Sequence, residues 1–266
     1  MSLGHRYRAI LTGASGGLGR AIAVALAPQC DALLLVGRDR DRLEAVAREA
    51  GPVASTLAAD LVTPEGRDAV VAHPLHPNLL INGAGASDFG WLARQDDATL
   101  ERIMGANVLA PMQLVRGLLP RLEREPRSWI VNVGSIFGYL GYPGQAAYSA
   151  SKFALRGFSE ALGRELADGP VRVLYFAPRS ARTSMNGAAM VALNAELGVA
   201  MDEPADVAAE LVALLRRPAR ERLLGMPEKL FARVNQIAPR LVDLALRRQL
   251  SVIRRHMPAS SEGASR

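Results

Sequence analysis

The chain contains few of the residues that build disulfide frameworks and metal centres. Cys30 is its only cysteine, and its four histidines are scattered along the 266 residues. A single thiol excludes an intramolecular disulfide and a cysteine-rich metal site. His73 and His76 have the spacing of a ligand pair, but Pro74 and Pro77 beside them indicate a solvated loop. We therefore expect no bound metal.

Long apolar runs are also missing. No run approaches the roughly 18 residues that a membrane span needs, and residues 1–8 lack the apolar stretch of a signal peptide. These absences favour a cytoplasmic protein. Hydrophobic residues nevertheless make up 49% of the chain and charged residues 22%. Such a composition can bury the core of one large α/β domain.

Charge is unevenly distributed along the chain. The net charge is +6, yet residues 216–266 hold 12 basic and 4 acidic side chains, which leaves residues 1–215 slightly acidic. The body of the protein therefore lacks the basic surface of a nucleic-acid-binding domain, and we expect no such partner. Any affinity for a polyanion or a membrane should lie in the tail.

Short apolar runs alternate with longer helical patterns. This alternation predicts right-handed βαβ crossovers and a Rossmann-like, doubly wound parallel sheet with helices on both faces. We expect one domain over residues 1–226. The predicted strands lie at residues 9–12, 32–36, 53–57, 79–82, 129–133, 171–176 and 222–226, and the predicted helices at 18–27, 39–50, 64–72, 97–124 and 146–167.

A glycine-rich turn follows the first predicted strand and leads directly into the first helix. Within residues 12–19, Gly13, Gly17 and Gly19 allow a tight turn, close approach of a pyrophosphate, and close packing of helix on strand. The pattern is typical of a dinucleotide site. The alternative is a glycine-rich turn that binds no ligand.

Arg38 follows the second predicted strand, at the place where an acidic residue commonly binds the adenosine ribose. A guanidinium there can clamp a 2′-phosphate through paired hydrogen bonds, so Arg38 favours NADP(H) over NAD(H). Asp39 is predicted to cap the next helix. Alternatively, Arg38 belongs only to a solvated helix start.

Tyr148 and Lys152 form the clearest candidate for catalysis. The chain has only two lysines, and Lys152 stands four residues after Tyr148, a spacing that places both on one face of a helix. A nearby cation favours phenolate and makes a phenol usable as a general acid or base. The alternative is a tyrosine at the edge of the core beside a snorkelling lysine.

Taken together, these features resemble the classical form of the short-chain dehydrogenase/reductase family. The resemblance extends over roughly residues 6–225, with the matching elements in family order. Besides the glycine turn and the Tyr148 and Lys152 pair, these elements are Asp60-Leu61, Asn82-Gly83-Ala84-Gly85, Asn107, Ser135, Pro178 and Thr183.

The resemblance implies a catalytic role for each of four residues. Tyr148 exchanges a proton with the carbonyl or alcohol oxygen while hydride moves to or from the nicotinamide. Lys152 holds the nicotinamide ribose and, with the oxidised nicotinamide, lowers the pKa of the tyrosine. Ser135 orients the carbonyl, and Asn107 supports a water relay toward Lys152.

The resemblance also implies a set of cofactor-binding residues. Asp60 meets the adenine, Asn82 steadies the sheet beside it, and Thr183 touches the nicotinamide carboxamide. The full set is Gly13, Ser15, Gly16, Gly17, Leu18, Gly19, Arg38, Asp60, Leu61, Asn82, Gly83, Ala84, Tyr148, Lys152, Pro178 and Thr183.

Two positions depart from the family pattern. Gly83 stands where an asparagine is common, and Arg179 follows Pro178 where the family usually has glycine. Glycine there permits a positive φ and close approach to the nicotinamide, so Arg179 must either adopt a strained conformation or reroute the turn.

The substrate is expected to be a hydrophobic ketone, aldehyde or alcohol. Residues 183–203, which cover the substrate in the family, carry Glu196 as their only charge between Thr183 and Asp202. Further apolar side chains lie in loops after the fourth and fifth strands, where such sheets bind ligands. Alternatively, many of them form a closed core. These loop residues are Phe89, Trp91, Ile136, Phe137, Tyr139, Leu140 and Tyr142.

The tail is predicted to form two basic amphipathic helices over residues 227–256, broken at Pro239. Such helices can lie on an anionic membrane, on their own domain or on a sister subunit. The polar residues 257–266 are expected to be disordered.

Three functional hypotheses follow. The first is an NADP(H)-dependent carbonyl reductase or alcohol dehydrogenase. The second is a lipid or steroid carbonyl reductase that docks on a membrane through the tail, and the third is a non-catalytic NADP-sensing protein. The family resemblance implies a homodimer or homotetramer assembled through helices at residues 97–124 and 146–167.

Overall fold

The computed structural model describes residues 6–258, and a seven-stranded parallel sheet runs through the middle of this part of the chain. The strands lie in the order β3-β2-β1-β4-β5-β6-β7, which confirms the predicted doubly wound topology. Their bounds are β1 Tyr7–Thr12, β2 Cys30–Gly37, β3 Ala54–Ala58, β4 Leu79–Asn82, β5 Ser128–Val133, β6 Val171–Ala177 and β7 Glu221–Leu223.

Helices cover both faces of the sheet. Crossovers between parallel strands require this arrangement, because a twisted parallel sheet buries both of its faces. The helices are α1 Gly17–Leu26, α2 Arg40–Ala50, α3 Pro64–Ala72, α4 Asp97–Met104, α5 Ala110–Leu122, α6 Ala146–Glu165, α7 Ala188–Glu196, α8 Pro204–Arg216, α9 Glu228–Ile237 and α10 Pro239–His256.

The central strands bury alternate side chains in two separate cores. Leu11, Leu35, Ile81 and Val131 belong to one core, and Leu11 pairs in register with both Leu35 and Ile81. The residues one position earlier point to the opposite face because side chains alternate along a strand. That second core contains Ile10, Leu34, Leu80 and Ile130.

The segment 97–124 differs from the single helix that was predicted. It consists of α4, a π-helical turn over Gly105–Leu109, and α5. The wider turn inserts extra backbone between the two helices, and such bulges often occur at functional sites. The last strand is Glu221–Leu223 rather than residues 222–226.

The tail forms the two predicted helices, with α9 ending at Ile237 and α10 beginning at Pro239. Ile253 of α10 is buried in an apolar cluster with Met190 and Leu193 of α7. The tail therefore packs on its own domain. Apart from Met257 and Pro258, the predicted disordered segment 257–266 lies outside the described residues. Within residues 6–258, no helix is long and apolar enough to cross a membrane.

Candidate active site

A cleft of about 1160 Å³ opens at the carboxyl ends of the strands. Its position follows from the topology of the sheet. The chain leaves β1 toward β2 on one side and leaves β4 toward β5 on the other side, and a crevice remains between β1 and β4. All of the predicted site residues except Asn82 and Asn107 line this cleft. The sequence motifs, which are far apart along the chain, therefore meet in one place.

The glycine turn forms one end of the cleft and has no room for side chains. Gly13 has φ +72°, and a Cβ there would lie 2.7 Å from the backbone nitrogen of Ala84. A Cβ at Gly19 would lie 2.1 Å from the Gly13 carbonyl oxygen. Thr12 fixes the facing loop, since its Oγ1 accepts hydrogen bonds from the backbone N–H groups of Gly83 and Ala84, both at 3.1 Å.

Arg38 lies at this same end of the cleft, with an exposed side chain. Asp39 is the N-cap of α2 and accepts a hydrogen bond from the Arg42 N–H at 3.0 Å, as predicted. Its carboxylate also pairs with the Arg42 guanidinium at 3.1 Å. Within residues 6–258, Arg38 makes no ion pair of its own, so its charge is available to a ligand.

Tyr148, Lys152 and Ser135 meet at the centre of the cleft. The first two residues are one turn apart on α6, and the Lys152 ammonium lies 5.6 Å from the centre of the Tyr148 ring. Lys152 is buried, and its Nζ donates a hydrogen bond to the Val133 carbonyl at 3.0 Å. Ser135 follows β5, and its hydroxyl accepts a hydrogen bond from the Phe137 N–H at 3.2 Å.

Burial shifts the pKa values of Tyr148 and Lys152 in the direction that favours the neutral form of each side chain. Desolvation raises the pKa of Tyr148 to about 12, and the hydrogen bond with Ser135 works in the opposite direction. Desolvation lowers the pKa of Lys152 to about 8. The phenol is therefore protonated at neutral pH, in the form that can donate a proton.

Asn107 lies on the π-helical turn behind the cleft and is buried. Its Oδ1 accepts from the Ala86 N–H at 2.7 Å, and its Nδ2 donates to the Ala86 carbonyl at 2.8 Å and to Ser151 Oγ at 2.9 Å. These bonds tie the loop after β4 to α6. The water relay expected of Asn107 stays a prediction.

Asn82 also lies behind the cleft, within the sheet. Its Nδ2 donates to Asn132 Oδ1 at 2.8 Å, and Asn132 Nδ2 donates to Ser159 Oγ at 2.8 Å. Ser159 in turn donates to the Leu155 carbonyl at 2.7 Å. This chain of side chains links β4 and β5 to α6. The role of Asn82 beside a bound cofactor stays a prediction.

Tyr175 is a supporting residue that sequence reasoning missed. Its buried hydroxyl donates to the Lys152 carbonyl at 3.2 Å and accepts from the Ser135 N–H at 3.5 Å. A Cβ at Gly134 or Gly138 would lie 2.2 or 2.3 Å from that hydroxyl oxygen. Its sequence signal was weak, a single tyrosine in the mainly apolar run that forms β6.

The far end of the cleft is mainly apolar, as predicted. Phe137 and Tyr142 stack there with ring centres 5.2 Å apart. The closed-core alternative holds for Tyr139, which is buried beneath the cleft and donates a hydrogen bond to Glu221 at 2.7 Å. Other apolar residues at this end are Phe89, Leu140, Met185, Met190, Leu197 and Val199.

Helix α10 supplies a wall of the cleft that the sequence did not predict. Val242, Ala245, Leu246 and Gln249 line it, and their spacing of three and four residues places them on one face of the helix. The tail is thus part of the site as well as an extension of the fold.

Arg179 does not adopt the strained conformation that was one of its two predicted alternatives. No non-glycine residue within 6–258 has a positive φ. The backbone at this turn remains anchored, because the Ile136 N–H donates to the Pro178 carbonyl at 3.0 Å.

Fold and cleft together define a Rossmann-like α/β protein in which a serine, a tyrosine and a lysine converge beside a glycine turn. The chain belongs to the classical short-chain dehydrogenase/reductase family of oxidoreductases. The family model described as short chain dehydrogenase matches residues 8–192.

Comparisons with individual proteins agree with this assignment. The chain is 34% identical over 193 residues to the putative oxidoreductase SadH of Mycobacterium tuberculosis, covering 69% of this chain and 70% of SadH. A short-chain dehydrogenase from Sphingobium yanoikuyae in complex with NADPH superposes with a TM-score of 0.73 at 26% identity, covering 91% and 93% of the two chains.

A 3-ketoacyl-(acyl-carrier-protein) reductase from Brucella melitensis, solved in complex with NADH, has a TM-score of 0.75 at 26% identity. The match covers 83% of this chain and 97% of that one. Of these two structures, each 26% identical to this chain, one contains NADPH and the other NADH. Similarity to them therefore favours neither dinucleotide.

Proposed function

We propose that this protein is an NADP(H)-dependent oxidoreductase that interconverts a hydrophobic ketone or aldehyde and the corresponding alcohol. The observation that carries the proposal is the convergence of Ser135, Tyr148 and Lys152 between the glycine turn and an apolar pocket. A dinucleotide laid from the turn to Lys152 would end beside the phenol of Tyr148.

The residues present fit such a cofactor. Helix α1 begins at Gly17 with neither a side-chain cap on Gly16 nor an acidic residue in its first turn, so its amino-terminal N–H groups are free to bind a pyrophosphate. Lys152 uses one donor on Val133, and an ammonium has three. The others can reach ribose hydroxyls.

When bound, the nicotinamide supplies or accepts the hydride. In reduction, Tyr148 donates its phenolic proton to the carbonyl oxygen, and Ser135 donates a hydrogen bond to the same oxygen. In oxidation, the phenolate removes the proton of the alcohol. The charge of Lys152 stabilises that phenolate, and the apolar residues beyond hold the organic part of the substrate and exclude water.

An NADPH oxidation screen tests this proposal. Medium-chain and cyclic ketones should turn over faster than small charged keto acids, because the far end of the cleft offers apolar contacts and few free charges. Faster turnover of the keto acids would contradict the predicted substrate class. Measured cofactor affinities in the same assay should favour NADPH over NADH.

Substitution of Arg38 by Ala is expected to remove that cofactor preference. The variant loses the guanidinium that would hold the 2′-phosphate, so we expect the Kd for NADPH to rise roughly tenfold to a hundredfold. The Kd for NADH should change little. Arg42→Ala is the matched control, since Arg42 lines the same end of the cleft but is paired with Asp39. An unchanged NADPH affinity in Arg38→Ala would refute the role of Arg38.

A second candidate is docking at an anionic membrane surface. Three apolar side chains of the tail are largely exposed, Ile237 by 85%, Leu241 by 61% and Leu244 by 56%. The exposed charged residues of α9 and α10 include Lys229, Arg240, Arg247 and Arg248 against Asp243. An apolar face flanked by cations is the arrangement that binds an anionic lipid interface. Lipid carbonyl compounds would then be the natural substrates.

The test is co-sedimentation with vesicles of phosphatidylglycerol and phosphatidylcholine. We expect Ile237→Asp to reduce the bound fraction severalfold, since a charge would enter the apolar face. Vesicles of phosphatidylcholine alone should bind much less. Point substitution is preferable to truncation at Met226, because truncation would also remove the α10 wall. Equal binding by wild type and Ile237→Asp would end the membrane hypothesis.

Homo-oligomer formation is also proposed, through α5 and α6. Exposed apolar residues Met104, Leu109, Met112 and Phe153 lie on or next to these helices, and exposed apolar patches commonly mark interfaces. Light scattering of the full chain measures the oligomeric state directly, and a monomer at all concentrations would contradict the proposal.

A further inference from the structure

The arginine that departs from the family pattern lies at the junction of three segments. Arg179 follows β6, Asp202 ends the loop over the apolar part of the cleft, and Glu228 begins α9. Both Arg179 and Glu228 line the cleft. Side chains from these distant parts of the sequence converge on one guanidinium.

The guanidinium of Arg179 bonds to both of the other segments. Its Nε and Nη2 donate to Asp202 Oδ1 at 2.9 and 2.6 Å. Its Nη1 donates to Glu228 Oε2 and to the Met226 carbonyl, each at 3.3 Å. These side chains are mostly buried, with Arg179 16%, Asp202 21% and Glu228 19% exposed. We call these four residues the Arg179 clamp.

Asp202 also closes the base of the loop. It forms a parallel bridge with Ala181, its N–H donates to the Ser180 carbonyl at 2.9 Å, and its carbonyl accepts from the Arg182 N–H at 2.9 Å. The loop over 181–202, which includes α7, therefore leaves and returns at one point. The clamp attaches that point to the start of the tail.

The local backbone is shaped around the arginine side chain. Gly225 has φ +86°, and a Cβ there would lie 2.4 Å from Arg179 Cδ. An arginine of this size thus takes the space that a side chain at 225 would need. Its planar fork can bond two carboxylates and a carbonyl at once, whereas a lysine ammonium cannot reproduce that geometry.

We propose that Arg179 is a positioning residue that fastens the substrate loop to the tail and thereby fixes the α9 and α10 side of the substrate pocket. Phe231 of α9 and Val242 and Leu246 of α10 line the cleft, so their placement depends on where α9 begins. The effect of Arg179 on substrate binding rests on the proposed function. The attachment of the loop to the tail does not depend on it.

Amide hydrogen exchange of the cofactor-free protein tests the structural part. In Arg179→Gly, which restores the usual family residue, exchange in α9 should accelerate roughly tenfold, because the segment opens more readily without its anchor. Glu228→Gln should give a smaller increase, since it removes only the charge of the ion pair to α9 and leaves the bonds to Asp202 and to the Met226 carbonyl in place. Arg179→Lys should fall between wild type and Arg179→Gly.

Arg182→Gly is the matched control. Arg182 lies three residues further along the same loop and pairs with Glu203 on the surface, with exposures of 63% and 61%. Its removal should leave exchange in α9 unchanged, because exposed pairs contribute little. Wild-type exchange in both Arg179→Gly and Glu228→Gln, or an equal increase in Arg182→Gly, would overturn the proposal.

Kinetics test the effect on substrate. For a hydrophobic ketone that the wild type reduces, Arg179→Gly should raise KM roughly tenfold with kcat within about threefold, the pattern of lost substrate binding. The Kd for NADPH should not change. A loss confined to kcat would overturn the positioning role. If no ketone is reduced by the wild type, the proposed function fails, and hydrogen exchange still decides on the clamp.

Discussion

Replacement of Tyr148 by Phe is expected to lower the kcat of carbonyl reduction by about 10²- to 10⁴-fold. The substitution removes only the phenolic oxygen that would donate the proton. The ring keeps its edge-on contact with Phe137, whose centre lies 6.2 Å away, so the fold and the cofactor site should be unaffected. Stopped-flow or steady-state NADPH oxidation measures kcat, and fluorescence titration measures the Kd for NADPH.

Tyr7→Phe is a suitable control for this experiment. Tyr7 is a buried tyrosine on β1 that packs edge-on against Trp129, with ring centres 5.5 Å apart, and it does not line the cleft. The same chemical change there should leave kcat within a few-fold. Undiminished carbonyl reduction by Tyr148→Phe would remove the basis of the catalytic assignment. Tight NADPH binding without any turnover by the wild type would favour the NADP-sensing hypothesis.

Replacement of Lys152 by Met should abolish activity and yet stabilise the cofactor-free protein. Burial lowers the pKa of Lys152 from 10.5 to about 8, so at pH 7 the folded protein contains a desolvated cation. Removal of this cation stabilises the folded state, and loss of the hydrogen bond to the Val133 carbonyl offsets part of that stabilisation. We expect a net increase in the free energy of unfolding of about 1–2 kcal/mol. The thermal midpoint should rise by about 2–6 °C.

The stability difference should also depend on pH in a defined direction. Between pH 8 and 10.5 the unfolded lysine binds a proton that the folded lysine has lost, so the free energy of unfolding of the wild type rises with pH relative to Lys152→Met. The advantage of the variant is complete below pH 8 and shrinks above it. Thermal unfolding at pH 7 and pH 9 measures both values.

Lys229→Met provides the control for Lys152→Met, since it changes the only other lysine, which is exposed. Its stability should follow that of the wild type at both pH values. A Lys152→Met protein that is less stable than wild type at pH 7 would show that the buried lysine stabilises the fold. The role of Lys152 in the site would then carry no cost in the stability of the protein.

Much of the fold could be predicted because its signals are local. Each central strand is a short apolar run followed by glycine or a polar residue, and the glycine turn marks the entry to α1 by itself. Helix α8 was missed even though Pro204 begins it and Val207, Leu211 and Leu215 follow at helical spacing. The signal for α8 was thus local as well.

Other features depend on tertiary contacts, which local sequence signals do not determine. Tyr175 supports Ser135 and Lys152 only because β6 lies next to β5. The α10 wall had an amphipathic pattern, but such a pattern fits a membrane, a partner or the protein's own domain equally well. The clamp needs Arg179, Asp202 and Glu228, which the sequence separates by many residues.

The hydrogen-bonded side chains of Asn82, Asn132 and Ser159 also fix the position of α6 along its own axis relative to the sheet. Ser159 lies two helical turns beyond Lys152 and is held from the sheet at 2.8 Å. A slip of α6 by one residue would turn the helix by about 100° and shift it by about 1.5 Å. Asn132 would then be left unsatisfied in the core, at considerable cost. The buried amides thus fix both the axial position and the rotation of α6, and with them the positions of Tyr148 and Lys152 relative to the sheet.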